Sequence, residues 1–170
     1  GGCVQINRGC LLEKTIKHSI LNNMALYIPT HLLLKLNTHA ASDYPHECCG
    51  GLLGSTEGDK KTVTHVVPIQ NNWEDVGDET KTRRFRISAE DYQALEAQAK
   101  TECVQLLGFY HSHPDDAPVP SDTDLSFAWP VFSYPIVQVL KGTVGRMASY
   151  VLDLDTGAFV EEPWAEVNSA

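Results

Sequence analysis

Val104-Gln105-Leu106-Leu107-Gly108-Phe109-Tyr110-His111-Ser112-His113 is an apolar run that ends in two histidines one residue apart. Such a run reads as a buried strand. On a strand, residues i and i+2 project to the same face, so both imidazoles address one point in space. Beyond a Pro-rich loop, Pro114 to Pro120, the chain brings up Ser121 and Asp124. Two neutral imidazoles and a carboxylate form the ligand set of a catalytic zinc, which keeps a fourth position open for water. The pattern implies a hydrolytic metal site built on His111, His113 and Asp124.

Upstream, Pro45-His46-Glu47-Cys48-Cys49-Gly50 places a carboxylate just before a glycine-rich strand start. From there Glu47 can reach a metal-activated water, take its proton and pass it to a leaving amine. His46-Glu47 also opens a near miss to the HExxH helix of zincins, but the fifth residue is Gly50. The HxE and PCxxC pair of zinc deaminases is absent. Ser121 carries two readings that do not exclude each other. Ser121-Asp122-Thr123-Asp124 is a helix N-cap with an acid at its third position, and a hydroxyl three residues before a metal ligand can donate to an oxyanion.

Glu47, then His111-x-His113, seven residues, Ser121, two residues and Asp124 resembles the JAMM (MPN+, Mov34/PAD-1-like) zinc metallopeptidase signature. The surrounding Pro-x-Glu-x-Cys-Gly at 45 to 50, Phe109-Tyr110-His-Ser-His-Pro and Pro120-Ser-x-x-Asp are similar too. The tail from Tyr134 through Glu161-Glu162-Pro163 resembles prokaryotic members that act on sulfur-carrier proteins. The resemblance covers roughly Met24 to Val167. It implies zinc (Zn2+) on His111, His113 and Asp124, Glu47 as general base and then acid, and Ser121 as oxyanion donor. The implied fold is mixed α/β, a single curved sheet flanked by helices and similar to the cytidine-deaminase class. The implied substrate is a peptide or isopeptide bond after the C-terminal Gly-Gly of a ubiquitin-like or sulfur-carrier protein. Release of cysteine from a sulfur carrier is the favoured use. The alternatives are deubiquitinase-like removal of a modifier from lysine, and a catalytically silent MPN scaffold. A segment before the second helix, about Asn71 to Ile87, would pair with the extended substrate tail by strand addition.

Working outward, Met24 opens what reads as a metallopeptidase domain, residues 24–170, after an N-terminal extension, residues 1–23. Leu11, Leu12, Ile16, Ile20 and Leu21 recur at near-helical spacing in that extension. Pro29 with Leu32, Leu33, Leu36 and Ala40 predicts a helix ending near Tyr44-Pro45. Gly50 to Gly54 and Thr62 to Ile69 read as strands, and the polar stretch Asn71 to Arg84 as a mobile loop. Phe85 and Ile87 suggest a short strand before Ser88, which starts a capping box with Asp91 and a helix through Tyr92, Leu95 and Ala99. A helix from about Ser121 to Ala128 follows, then strands at Tyr134 to Leu140, Val144 to Leu152 and Ala158 to Glu161. Helices and strands interleave without repeats, as in an α/β domain.

The bulk properties fit one domain. The chain has 170 residues, 42% apolar and 21% charged, with a formal net charge of −9. That charge argues against nucleic acid held through phosphates, and no apolar stretch reaches the length of a membrane span. Cys3, Cys10, Cys48, Cys49 and Cys103 form no CxxC pair, and an odd count without a secretory signal points to the reducing cytoplasm. Cys48, Cys49 and Cys103 read as small buried apolar residues. His18, His31, His39 and His65 read as surface or satisfied histidines, and Asp115, Asp116 and Asp122 as solvated loop acids.

Overall fold

The computed structural model describes residues 24–169. The extension 1–23, with its expected helix near Leu11 to Leu21, lies outside the described residues. The elements in chain order are β1 (Ala25–Pro29), α1 (Thr30–Asp43), β2 (Cys49–Glu57), β3 (Lys60–Ile69), α2 (Ala89–Thr101), β4 (Gln105–Pro114), α3 (Asp122–Ser126), β5 (Tyr134–Leu140), β6 (Thr143–Asp153), β7 (Ala158–Glu162) and β8 (Trp164–Val167). Among the described residues, eight strands join one mixed sheet in the order β7-β6-β5-β4-β2-β3-β1-β8.

The helices form where their apolar stripes have a sheet to cover. On α1, Leu32, Leu36 and Ala40 are buried at helical spacing, and they pack across β1, β3, β5, β6 and β8 inside the curve of the sheet. Full burial of one such leucine contributes about 1.5–3 kcal/mol. On the other face, α2 lays Leu95 and Ala99 against Cys49, Leu53, Ile69 and Phe109. Its start is the expected capping box: Asp91 N–H donates to Ser88 Oγ (3.0 Å) and Ser88 N–H to Asp91 Oδ2 (3.1 Å).

The outermost strands of the sheet, β7 and β8, are separated in sequence by Pro163 alone, so the sheet curls until its edges face each other. A buried polar knot closes the seam. Lys61 Nζ donates to Ser133 Oγ (2.8 Å), to the Val131 carbonyl (3.0 Å) and to Glu162 Oε1 (3.4 Å). Ser133 and Ser149 hydroxyls donate to the two oxygens of Glu162 at 3.0 and 2.8 Å. Burial lowers the Lys61 pKa, and the Glu162 charge opposes that shift.

The sequence reading departs from the structure in several places. β1 and β8 were not foreseen; they are short and pair in parallel with each other. No strand forms at Phe85 to Ile87, because the backbone there is spent on side-chain and loop bonds: Arg84 O accepts from Asn71 Nδ2 and Arg86 N–H donates to Asn71 Oδ1. α3 ends at Ser126, although Phe127 and Ala128 still bond back to Asp124 and Leu125. Cys103 is exposed, since its left-handed φ of 54° turns the chain out of α2, whereas Cys48 and Cys49 are buried.

Candidate metal centre

β4 lies between antiparallel β2 and parallel β5, and every residue from Leu107 to His113 is buried. Gly108 permits this. A Cβ there would strike the Ser133 backbone, which bonds β4 through Phe109 N–H to Ser133 O (3.0 Å) and Ser133 N–H to Leu107 O (2.9 Å). With β4 fixed on both sides, His111 and His113 share a face, their Nε2 atoms 3.0 Å apart.

Asp124 reaches the pair from the first turn of α3. Its Oδ2 stands 3.5 Å from His111 Nε2 and 3.7 Å from His113 Nε2. The same oxygen accepts the Ser121 N–H at 2.7 Å, and Ser121 Oγ accepts the Asp124 N–H at 3.1 Å. The expected capping box is therefore real, and it aims the carboxylate. An accepting hydroxyl still carries a proton to donate, so the cap leaves the second reading of Ser121 intact.

The Pro-rich loop is fastened rather than loose. Tyr44 Oη donates to Asp115 Oδ2 (2.6 Å), Lys141 N–H to Asp115 Oδ1 (2.8 Å) and Tyr150 Oη to the Pro118 carbonyl (2.9 Å). Asp115 is thus a bonded anchor and not merely a solvated acid. The loop presents the Ala117 carbonyl 2.7 Å from His113 Nδ1, which holds the proton on that nitrogen and leaves the Nε2 lone pair facing the cluster.

Glu47 sits between α1 and β2, 7% exposed, with Oε1 4.0 Å from His113 Nε2. Burial pushes its carboxyl up to about 8; His113 and Arg84 oppose the shift, while Asp124 adds to it. Burial lowers the His111 pKa. At His113 burial acts in the same direction but is outweighed by Asp124 and the Ala117 carbonyl, so its pKa rises. Asp124 is only partly exposed, and burial raises its pKa, yet the two histidines and the Ser121 amide hold it well below the usual carboxylate range. Cys48, beside Glu47, is pushed up to about 12 by burial, and Cys49 is pushed up as well. Neither is poised as a thiolate nucleophile.

The donor set fits zinc. His111, His113 and Asp124 offer one ligand atom each, all within 4.8 Å of one another. Tetrahedral ligands with bonds of about 2.0–2.1 Å stand about 3.4 Å apart, and the three observed separations, 3.0, 3.5 and 3.7 Å, bracket that value. Glu47 lies next to this triangle.

Four supporting residues were not foreseen. Phe85 stacks on His111 with ring centroids 4.5 Å apart and an interplanar angle of 25°. Ser112, the middle residue of His-x-His, accepts the Cys48 N–H at 2.8 Å. Asn71 is buried and donates to the Glu47 carbonyl at 2.9 Å. Arg84, whose charge acts on Glu47, has a buried Nε without a hydrogen-bond partner among the described residues.

Comparison with known proteins agrees with this fold. Residues 29–153 match the family described as prokaryotic homologs of the JAB domain. A desampylase of Haloferax volcanii is 37% identical over 112 residues, 65% of this chain and 73% of that protein. A CD-NTase/cGAS isopeptidase of Escherichia coli is 26% identical over 119 residues, 68% of this chain and 74% of that protein. A solution structure from Desulfitobacterium hafniense superposes with a TM-score of 0.72 at 23% identity, covering 85% of this chain and 94% of that one, a likeness of fold. With its curled mixed sheet, its flanking helices and the match across residues 29–153, the chain belongs to the prokaryotic JAB (JAB/MPN) domain family.

Proposed function

We propose that this protein is a zinc-dependent hydrolase that cleaves the amide bond after the C-terminal Gly-Gly of a ubiquitin-like protein. The observation that carries this reading is the triangle of His111, His113 and Asp124 with the buried Glu47 beside it. The isopeptidase and desampylase names of two relatives favour a lysine side chain as the leaving amine.

His111, His113 and Asp124 would hold the metal. Bound there, zinc supplies Lewis acidity toward water and toward the scissile carbonyl. Glu47 does the proton work. It accepts a proton from water as the oxygen attacks the carbonyl carbon, then gives it to the nitrogen as the C–N bond breaks, so one water yields one carboxyl and one amine. The Ser121 hydroxyl donates to the carbonyl oxygen as negative charge develops there.

The segment 71–87 supplies backbone for an extended tail, in the manner of strand addition. The peptide-bond variant, release of cysteine from a sulfur carrier, rests on the likeness of residues 134–163 to such enzymes. One assay separates the two: zinc-loaded protein is offered a ubiquitin-like protein whose Gly-Gly carries either lysine in isopeptide linkage or a single cysteine. Faster turnover of the lysine adduct supports the isopeptidase reading. Faster release of cysteine replaces it with the carrier reading, and cleavage of neither adduct, with zinc bound, refutes both.

A further inference from the structure

We infer that Asn71 is a positioning residue for proton transfer, fixing the Glu47 peptide and the loop 71–86 to each other through one side-chain amide. The inference rests on the reading of Glu47 as the proton-transfer group.

Glu47 and Cys48 lie between α1 and β2, outside any strand, so their backbone groups need partners beyond the sheet ladder. The structure supplies these from two sides. On the β4 side, Cys48 N–H donates to Ser112 Oγ at 2.8 Å and Ser112 N–H to the Cys48 carbonyl at 3.1 Å, tying the peptide to the strand of His111 and His113. On the loop side, Glu47 N–H donates to the Lys81 carbonyl at 2.7 Å, and the Glu47 carbonyl accepts from Asn71 Nδ2 at 2.9 Å. Of these two loop contacts, only the second is made by a side chain.

Asn71 is 8% exposed and uses its whole amide. Nδ2 donates to Glu47 O and to Arg84 O, both at 2.9 Å. Oδ1 accepts from Trp73 N–H at 3.0 Å and from Arg86 N–H at 3.2 Å. Two donors and two acceptor sites are all that an asparagine side chain has. A buried polar group with every site filled is held in one orientation, and a broken partner leaves a desolvated carbonyl unpaired. The same amide grips both sides of Phe85, the residue that stacks on His111. One side chain thereby sets the height of Glu47 above the cluster and the packing behind a histidine of the cluster.

General-base transfer needs heavy atoms within hydrogen-bond reach, and a misplacement near 1 Å costs about 10²-fold. Asn71→Ala is therefore expected to lower kcat by roughly 10–100-fold with zinc content unchanged. Asn71→Asp keeps the acceptor half, which serves Trp73 and Arg86, and deletes the donors to Glu47 and Arg84. It is expected to match the Ala variant in kcat while holding KM within about threefold of wild type, since the acceptor half still orders the loop.

The test is steady-state cleavage of a lysine-linked Gly-Gly adduct by wild type, both Asn71 variants and Glu47→Gln, with amide hydrogen exchange on the same proteins. Faster exchange at Glu47, Trp73 and Arg86 in Asn71→Ala, with α2 unaffected, is the expected structural signature. Unchanged kcat in both Asn71 variants, or a fall in kcat with exchange at Glu47 unaltered, overturns the positioning role. Full activity of Glu47→Gln sinks the underlying reading instead, and the exchange data still decide whether Asn71 orders the Glu47 peptide. If Asn71→Ala does not fold, Asn71→Asp carries the comparison.

Discussion

Asp124 Oδ2 accepts the backbone N–H of Ser121 at 2.7 Å while standing 3.5 Å from His111 Nε2, so one oxygen both caps α3 and faces the cluster. Ser121 answers with the reciprocal bond at 3.1 Å. The helix start and the triangle of His111, His113 and Asp124 are one piece of geometry, and substitutions at Ser121 can separate its cap from its proposed role as oxyanion donor.

Ser121→Ala removes the cap and the hydroxyl together. Loss of the cap should cost about 1 kcal/mol of stability, and loss of an oxyanion donor about 10²–10³ in kcat. Ser121→Asp restores a capping oxygen but offers no donor at neutral pH. Thermal melting should recover in that variant while turnover does not. Recovery of turnover along with stability would reduce Ser121 to a cap.

His113→Ala should abolish stoichiometric zinc and flatten the dependence of melting temperature on added zinc. Wild type should gain about 2.7 kcal/mol of stability when free zinc is a hundredfold above its dissociation constant. Elemental analysis and thermal melts over a zinc series check both statements. A zinc-dependent melt that survives His113→Ala would place the ion elsewhere.

In the metal-free protein Glu47 should make stability fall as pH rises. Its folded pKa is raised, from 4.5 to about 8, so the folded chain holds that proton more tightly than the unfolded chain. The stability tied to it is fully present below about pH 4.5 and is lost as pH climbs towards 8. Glu47→Gln cannot ionise there, so the variant should exceed wild type at pH 8 by roughly 2–4 kcal/mol and match it more closely at pH 5. Denaturant titration of both metal-free proteins at the two pH values provides the comparison. Parallel pH curves would mean that Glu47 is far better solvated than its burial indicates.

Much of this site could be read from the chain. His111 and His113 were legible because a strand has period two, and Asp124 because its spacing from Ser121 doubles as a capping box. Leu32, Leu36 and Ala40 announced α1 in the same way. What escaped has a common physical cause. Asn71 and Ser112 act on the Glu47 peptide through bonds that span 24 and 64 residues of sequence, respectively. Local periodicity carries no trace of such bonds. Phe85 has the residue type of a strand, and only the tertiary fold shows that it stacks on His111 while Asn71 takes the flanking backbone. The alternation of Leu26 and Ile28 was a readable sign of β1, whereas Trp164–Val167 offers almost none.

The seam of the sheet gives a prediction away from the chemistry. Lys61→Met should strand the Glu162 carboxylate, which is 2% exposed, at a cost of about 3–5 kcal/mol. Adding Glu162→Gln should return part of that loss, because Ser133 and Ser149 remain as donors. Chemical denaturation of the single and double variants measures the coupling. Strict additivity would mean that the pair does not hold the seam.

On the proposed reading, Glu47 moves the proton for amide hydrolysis at a zinc site made of His111, His113 and Asp124. The most direct test of that reading is the rate at which zinc-loaded wild type and Glu47→Gln release lysine from the Gly-Gly end of a ubiquitin-like protein, with metal content measured on the same samples. One zinc per chain in both proteins, and a rate about 10²–10⁴ lower in the variant, is the predicted result. Equal rates in the two proteins, or no turnover by fully loaded wild type, would contradict it.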